Sequence, residues 1–587
     1  MSTGVSRRKL SLRIGAGIAA LVLFAALFFF FILLIKVKGQ FGYLYNFFVK
    51  TDGSLPVSTY ETMEPVSHNV PYAVPSTKPE RFLASTKLEV EGLIVTDYQR
   101  PAPIRLDESS VNLLSAHMGL LTFRGNYART ASSYQSVLDS ATRLKKSWSF
   151  RTGRFLKDDG VNYWSGNGWT GQPIAVHWSN EWKAVMNLYP TACQKSDLTE
   201  IIYPGMDGKI HFLDIETGAE TRPAINVGMI FKGTCSVHPT YPLLICGSGD
   251  SATGLFGEQI CARIFIYSLI DGRKLYEFAA NDPFSTRSWH GFDSSPIFAE
   301  EADTVIYPGE NGVLYTLRLN TSFDKEHAIL SIAPEQPVKY AYTSYAAGER
   351  FEASENGNGS GSESSPVVYD HYLFFGDNGG IFQCLDLNTM KPVWVQDLLE
   401  DINSSPVLEQ DADGKWYIYV GTTLKFHYDT HHIGEAGIYK LNAQTGEIVW
   451  KKPYAVHTVL GLAGGVLASG ASGCGEIADY LFYAISKVPS VESGYVVAIS
   501  KTTGEEYWRY ELPCDAWSSG CLVYTEDGHS RLVQCCGNGD VLLMDTLTGK
   551  VLSKVSYNSN IESTPAIVGN RIVVGLRSEY IVSMEIH

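Results

Sequence analysis

The sequence predicts an all-β fold, an eight-bladed β-propeller of four-stranded antiparallel blades whose ring is closed by a strand near the N-terminal side, about residues 145–152. Three recurring signatures carry that prediction. The first is a set of turns that superpose without gaps: "IIYPGMDGKIHFLD" (201–214), "VIYPGENGVLYTLR" (305–318), "LFFGDNGGIFQCLD" (373–386) and "LVQCCGNGDVLLMD" (532–545). Each is a short apolar run, a turn ending in glycine, then an alternating apolar run; Asn-Gly and Asp-Gly supply the positive φ of a tight hairpin.

The second signature precedes these hairpins: "SSPIFA" after Asp293, "SSPVVY" after Glu363, "SSPVLE" after Asn403, "SSGCLV" after Trp517, "STPAIV" after Glu562 and the looser "GQPIAV" after Thr170. Proline at the first residue of a strand removes no ladder donor that the sheet needs, so it marks where a strand begins. The third follows the hairpins, as "LNAQTGEIVW" (441–450), "ISKTTGEEYW" (499–508), "LDLNTMKPVW" (385–394) and "MDTLTGKVLS" (544–553). It leads into a fourth strand and in three cases ends on a tryptophan able to dock on a neighbour.

Units begin near residues 170, 232, 293, 363, 403, 461, 517 and 562. The last runs only to a third strand, "YIVSMEIH", while "KKSWSFRTG" (145–153) carries the tryptophan-bearing fourth-strand pattern ahead of the first unit. Pairing those two pieces closes a ring without a seam, which a linear β-solenoid does not explain.

The remaining chain reads differently. Residues 14–35, "IGAGIAALVLFAALFFFFILLI", hold no charge and are long enough to cross a bilayer as a helix. Arg7, Arg8, Lys9 and Arg13 precede this run, placing residues 1–13 in the cytoplasm and the body outside the cell membrane. A removable twin-arginine-like signal is the rival reading, but "IKVKGQFGY" offers no small-x-small cleavage site. Residues 36–118 read as a proline-rich stalk, within which "LEVEGLIVTDY" is one strand and "ESSVNLLSAHMGLL" a short helix. The propeller is expected over 119–587.

A net charge of -15 and the lack of a basic face argue against a nucleic-acid partner. All ten cysteines lie beyond the apolar run, and several stand in strand-like stretches as small buried hydrophobes, so some or all are expected as free thiols.

The tryptophan-bearing repeats at Ala443–Trp450 and Ser500–Trp508, with "GLLTFRGNYARTASSYQ" (119–135) leading into "LKKSWSFRTG", resemble the quinoprotein-type propellers built of PQQ repeats. That family includes calcium-dependent alcohol dehydrogenases, which carry pyrroloquinoline quinone (PQQ), and cofactor-free scaffolds such as the lipoprotein of the outer-membrane protein assembly machine. The resemblance implies the fold; the enzymes' aspartate base, calcium ligands and tryptophan under the quinone have no residue-by-residue match here.

Four groups are candidate sites. Cys535 and Cys536 match no repeat position that needs sulfur, yet a vicinal pair is how some quinone enzymes contact their cofactor; neighbouring strand residues point to opposite faces, which favours two reduced thiols. Asp411 and Asp413, in "EQDADGKW", alternate before a glycine as in a calcium loop, or form an ordinary hairpin turn. His427, His431 and His432, in "KFHYDTHHIGEAG", crowd an insertion that could take a divalent ion or be a solvated loop. Trp164, Trp169, Trp289, His290 and Asp293 precede strand starts and could line the mouth of the central channel, binding a sugar, a peptide or a planar cofactor, or pack between blades.

The expectation is a non-catalytic, membrane-anchored extracytoplasmic propeller that binds a protein or peptide partner at the cell envelope, with no cofactor. A PQQ- and calcium-dependent dehydrogenase and a sugar- or peptide-binding sensor are the alternatives.

Overall fold

The computed structural model describes residues 70–106, 118–139, 142–157, 159–253, 259–351, 361–411, 413–459 and 462–587. The expected cytoplasmic segment, transmembrane helix 14–35 and first part of the stalk lie outside the described residues, as does most of the expected helix within 108–121. Among the described residues no helix is long and apolar enough to cross a membrane.

Eight antiparallel blades form, and their inner strands start at Ile174, Ser236, Ile297, Val367, Val407, Ala471, Cys521 and Ala566, in the order of the sequence units. Strand Leu144–Arg151 pairs antiparallel with Tyr580–Ile586 and supplies the fourth strand of blade eight, so one sheet joins the two ends of the propeller. The core is strand side chains between blades: Ile202, Ile306, Phe374, Ile418, Val497, Val533 and Val573 are fully buried.

The tryptophan of the third signature works as a joint. Nε1 of Trp148, Trp394, Trp450 and Trp508 donates to the carbonyl of Ile215, Ala443, Lys501 and Thr546 respectively, each in the next blade, at 2.7–3.0 Å. Each ring lies on the turn glycine of that blade, Gly218, Gly446, Gly504 or Gly549, where an added Cβ would stand 2.5–2.8 Å from the indole and φ is +69° to +75°. Only glycine meets both demands. Trp148, on the closing strand, makes the joint between blades eight and one.

The Ser-Ser-Pro signature works as a ring around the axis. The second residue of one blade's motif donates its amide to the hydroxyl at the same position of the next: Gln172 to Thr234 (2.7 Å), Ser295 to Ser365 (2.9 Å), Ser365 to Ser405 (2.8 Å), Ser469 to Ser519 (2.9 Å) and Ser519 to Thr564 (3.3 Å). Thr564 N then donates to Gly171 O at 3.2 Å and returns the chain of bonds to blade one.

Residues 120–135 fill the axis beneath that ring. Leu120 pairs with Ala175 of blade one. The carbonyls of Leu121, Tyr127 and Ala128 accept from Val237, Val368 and Leu408, and Tyr134 N donates to Ile567 O. Tyr127 Oη accepts from Phe298 N, and Ser132 Oγ from Leu522 N. One short segment that bonds the inner strands of seven blades can only run across the centre, so it plugs the channel. Arg124 and Arg129, both fully buried, hold it there: Arg129 donates to the carbonyls of Pro366, Phe123 and Ser295, and Arg124 to those of Arg129 and Gly520.

One expectation needs correcting. The described part of the supposed stalk, 70–106, is not a free tether but a strap laid on blades three to five. Leu83–Val90 and Leu93–Val95 are two strands rather than one, a hairpin turned by Glu91 (φ 50°) and Gly92 (φ 76°) and added to the outer edge of blade three against Val338–Ser344. Beyond it, buried Arg100 donates to Leu387 O (3.0 Å) and Thr316 Oγ1 (2.8 Å), and Thr77 Oγ1 donates to Thr445 O (2.6 Å).

Candidate functional site

Above the hydroxyl ring, on the side away from the plug, stand the residues just before each signature: Thr170, Lys232, Asp293, Glu363, Asn403, Trp517 and Glu562, with Leu467 at the matching place in blade six. Because the second residue of each motif is tied into the axial ring, the residue before the motif stands two positions nearer the open end. The mouth is therefore walled by one residue per blade, and its floor is the plug.

Lys232 is central. It is buried, and its Nζ lies 5.4 Å from the ring centres of Trp164, Trp169 and Trp289 and 3.7 Å from the Asp293 carboxylate. Three indoles around one ammonium form a cation-π cage, here filled by the protein's own side chain. Trp169 packs edge-on to Trp164 (6.1 Å) and against Trp517 (5.6 Å), and its other neighbour is the Arg577 guanidinium at 5.9 Å. Lys157 Nζ covers Trp164 at 3.9 Å. The hairpin that carries Trp164, residues Arg154–Leu156 and Tyr163–Ser165, belongs to no blade and folds over the mouth.

Carboxylates face this cationic centre. Glu310, from the hairpin turn of blade three, is buried against the backbone of Gly291, where any side chain would collide with it. Burial, then the nearby Asp293 and Glu363 charges, push the Glu310 carboxyl well above the usual range. Burial likewise raises Asp293, with Lys232 opposing. Burial acts to lower Lys232, but Asp293, Glu310, Asp250 and Glu363 together carry it above the ordinary lysine value, so it stays charged. Asp293 Oδ1, Glu310 Oε1, Asn403 Oδ1 and Asn560 Oδ1 are buried acceptors with no hydrogen-bond partner among the described residues. His290 is half-buried at the same rim, its imidazole held below the usual value by burial against the pull of Asp282.

Four of the five residues expected at the channel mouth, Trp164, Trp169, Trp289 and Asp293, thus meet around Lys232, and His290 stands beside them. Sequence reasoning passes over Lys232, Glu310, Glu363, Trp517 and Glu562 as site residues. The column just before the aligned Ser-Ser-Pro motifs holds the signal for four of these, because four of its eight residues are charged and one is an aromatic, whereas the motif beside it keeps mostly to small residues and proline.

The other candidates are not brought together. Asp411 accepts from Tyr419 Oη (3.0 Å) and Lys440 Nζ, while Asp413 accepts from Tyr417 Oη (2.8 Å) and Lys415 Nζ (3.2 Å). Their oxygens serve the hairpin of blade five. His427 Nδ1 lies 2.7 Å from Glu400, whose carboxylate also accepts the amides of Lys425, Phe426 and His427; His431 is exposed beside Asp429, and His432 stacks on Tyr428 at 5.3 Å. Among the described residues no group of three or more His, Cys, Asp or Glu is placed to hold a metal ion. Cys535 packs with Cys521, Val533 and Val541 on one side of blade seven, and Cys536 with Cys514, Leu522 and Leu542 on the other. Strand alternation separates the two thiols, so no vicinal pair faces a ligand.

Residues 492–585, spanning the end of blade six and blades seven and eight, match the family model described as PQQ_2, outer membrane protein assembly factor BamB. This supports the PQQ-like repeat reading of the chain. No curated protein sequence matches it. Solved structures with similar folds include BamB from Moraxella catarrhalis, 13% identical, TM-score 0.44, covering 75% of this chain and 99% of that one. Another is the quinohemoprotein alcohol dehydrogenase from Comamonas testosteroni, 12% identical, TM-score 0.39, covering 80% of each chain.

Proposed function

We propose that this PQQ-like repeat propeller is a non-catalytic binding protein that takes a protein or peptide partner at the mouth of its axis. The observation carrying this reading is a closed cup: the plug of 120–135 seals one end, and the other presents indoles with buried acceptor oxygens that have no partner among the described residues. An unpaired buried acceptor costs free energy until a donor reaches it, so the cup favours a partner that brings N–H groups, such as lysine, arginine or backbone amides of a peptide.

We propose no PQQ or calcium at this mouth. The indoles that would have to stack on a flat quinone are instead covered by Lys157, Lys232 and Arg577, and neither thiol of Cys535 and Cys536 can reach the other's face. Among the described residues no carboxylate set at the mouth is grouped for a divalent ion. We further propose that the apolar run 14–35 anchors the chain in the cell membrane with the propeller on the extracytoplasmic side, in keeping with a partner at the envelope.

The test is capture from envelope extract by the full chain and by an Asp293→Asn, Glu310→Gln variant, with added PQQ and calcium as a parallel arm. The proposal expects a specific protein recovered by the wild type and lost with the variant. Equal recovery by both, or visible quinone absorbance with dye-linked alcohol oxidation, would overturn it.

A further inference from the structure

Blades six and seven meet at a pair of cysteines that the mouth does not use. Cys514 follows the last strand of blade six, Glu506–Leu512, and Cys536 follows Ser530–Cys535 of blade seven. Gly537 N donates to Asp515 O at 2.8 Å, clamping the two segments together one residue from each sulfur. The Cys536 thiol donates to Gln534 O at 4.0 Å and packs in one cluster with Cys514. Both line one open cleft of about 240 Å³ with Tyr510, Asn538, Asp540 and Lys554. Cys514 is 9% exposed and Cys536 1%.

We propose that Cys514 and Cys536 are a redox-modification site, a dithiol that a low-molecular-weight disulfide entering the cleft converts to an inter-blade disulfide. Cys514 is the outer thiol. As a thiolate it attacks one sulfur of the external disulfide, whose S–S bond breaks; one small thiol leaves and a mixed disulfide forms on Cys514. Cys536 then loses its proton to solvent and attacks Cys514 Sγ, releasing the second small thiol, which takes up the proton. Two protein thiols are oxidised to one disulfide and the external disulfide is reduced to two thiols. The neighbouring Cys514 and burial both hold the Cys536 thiol protonated, so the second step is the slow one and quickens as pH rises.

The neighbouring pair Cys521 and Cys535 provides the contrast. It lies on the opposite side of blade seven, fully buried among Val523, Val533 and Val541, and lines no part of this cleft. Two thiols in one cluster do not by themselves make a modification site; a reagent must also reach one of them.

The experiment is oxidation of the folded full chain with oxidised glutathione at pH 8, blocking of remaining thiols after denaturation, and tandem mass spectrometry of tryptic peptides. The expected product is the peptide beginning at Tyr510 linked to that beginning at Leu532, lighter by about 2 Da than the sum of the reduced peptides because two hydrogens leave. Fragment ions place the link at Cys514 and Cys536. It persists in a Cys521→Ser, Cys535→Ala variant and is absent from Cys514→Ser. A link through Cys521 or Cys535, or full blocking of Cys514 and Cys536 after prolonged oxidation, would overturn the proposal; the wild-type map decides this even where a variant fails to fold.

Discussion

At the plugged end of the axis, Arg124 and Arg129 are buried with no carboxylate beside them among the described residues, and their guanidinium groups donate to backbone carbonyls contributed by several blades. At the mouth, Asp293, Glu310 and Glu363 surround Lys232, yet buried oxygens of Asp293 and Glu310 have no donor among those residues. The first arrangement pairs fixed dipoles with charge; Arg124 Nη2 has no acceptor among the described residues, but Arg124 is fully buried, so the plug presents no surface for a partner. The second is unfinished as a hydrogen-bond network, and a partner can complete it. One propeller axis therefore holds its blades at one end and presents chemistry at the other.

The sharpest way to break this comparison is at the plug. Arg129→Met leaves the carbonyls of Pro366, Phe123 and Ser295 without their donor, and a loss of about 3 kcal/mol or more is expected in urea unfolding. Partner capture per folded molecule should be unchanged. Burial pulls the Arg129 guanidinium down to about 9, so stability should also fall on acidification through that value from the alkaline side, where the folded state resists protonation.

Next in size is a pH effect. Burial raises the Asp377 carboxyl to about 7, although Tyr342 and the amides of Ile381 and Gly379 donate to it. In the unfolded chain it titrates near the ordinary value of about 4. The folded state therefore holds the proton longer, and the stability this contributes is complete below about pH 4 and lost as pH rises through about 7. Asp377→Asn should flatten the wild-type decline in urea midpoint between pH 5 and pH 8, and an unchanged decline would assign the slope to other groups.

Smaller still is the effect of Glu310→Gln. Neutralising a buried carboxyl whose Oε1 has no hydrogen-bond partner among the described residues should change stability by no more than about 1 kcal/mol, in the stabilising direction at pH 8. Thermal unfolding checks this, and a large loss would mean that Glu310 is a structural ion like Arg129. Trp289→Ala should cost least, about 0.5 kcal/mol, because that ring is 36% exposed at the rim. Its effect should appear in partner capture instead.

The contrast also explains what can be read in the sequence. Blades repeat, so hairpin turns, strand starts and the Trp-on-Gly joints at Trp394, Trp450 and Trp508 recur in register, and the strand 144–151 is assignable to the last blade because only its pattern is out of place. The plug does not repeat. Residues 119–135 stand out as a motif, but their partners are backbone amides and carbonyls scattered over seven blades, which no periodicity encodes. The hairpin at 83–95 reads as one strand because the turn Glu91-Gly92 lacks the Asn or Asp that usually announces it. At the mouth the tryptophans and Asp293 are legible because they precede strand starts. Lys232 is not, since a single lysine in "FKGTCSV" looks like any solvated side chain until the blades are superposed.

The most direct measurement is the affinity of the captured partner for the full chain carrying Asp293→Asn and Glu310→Gln, taken beside its melting midpoint. A loss of affinity of about tenfold or more is expected in a variant that still folds, with a lower midpoint because Lys232 loses two of the carboxylates that hold it charged. Wild-type affinity in a fully folded variant would contradict it, and would move the binding surface away from the mouth.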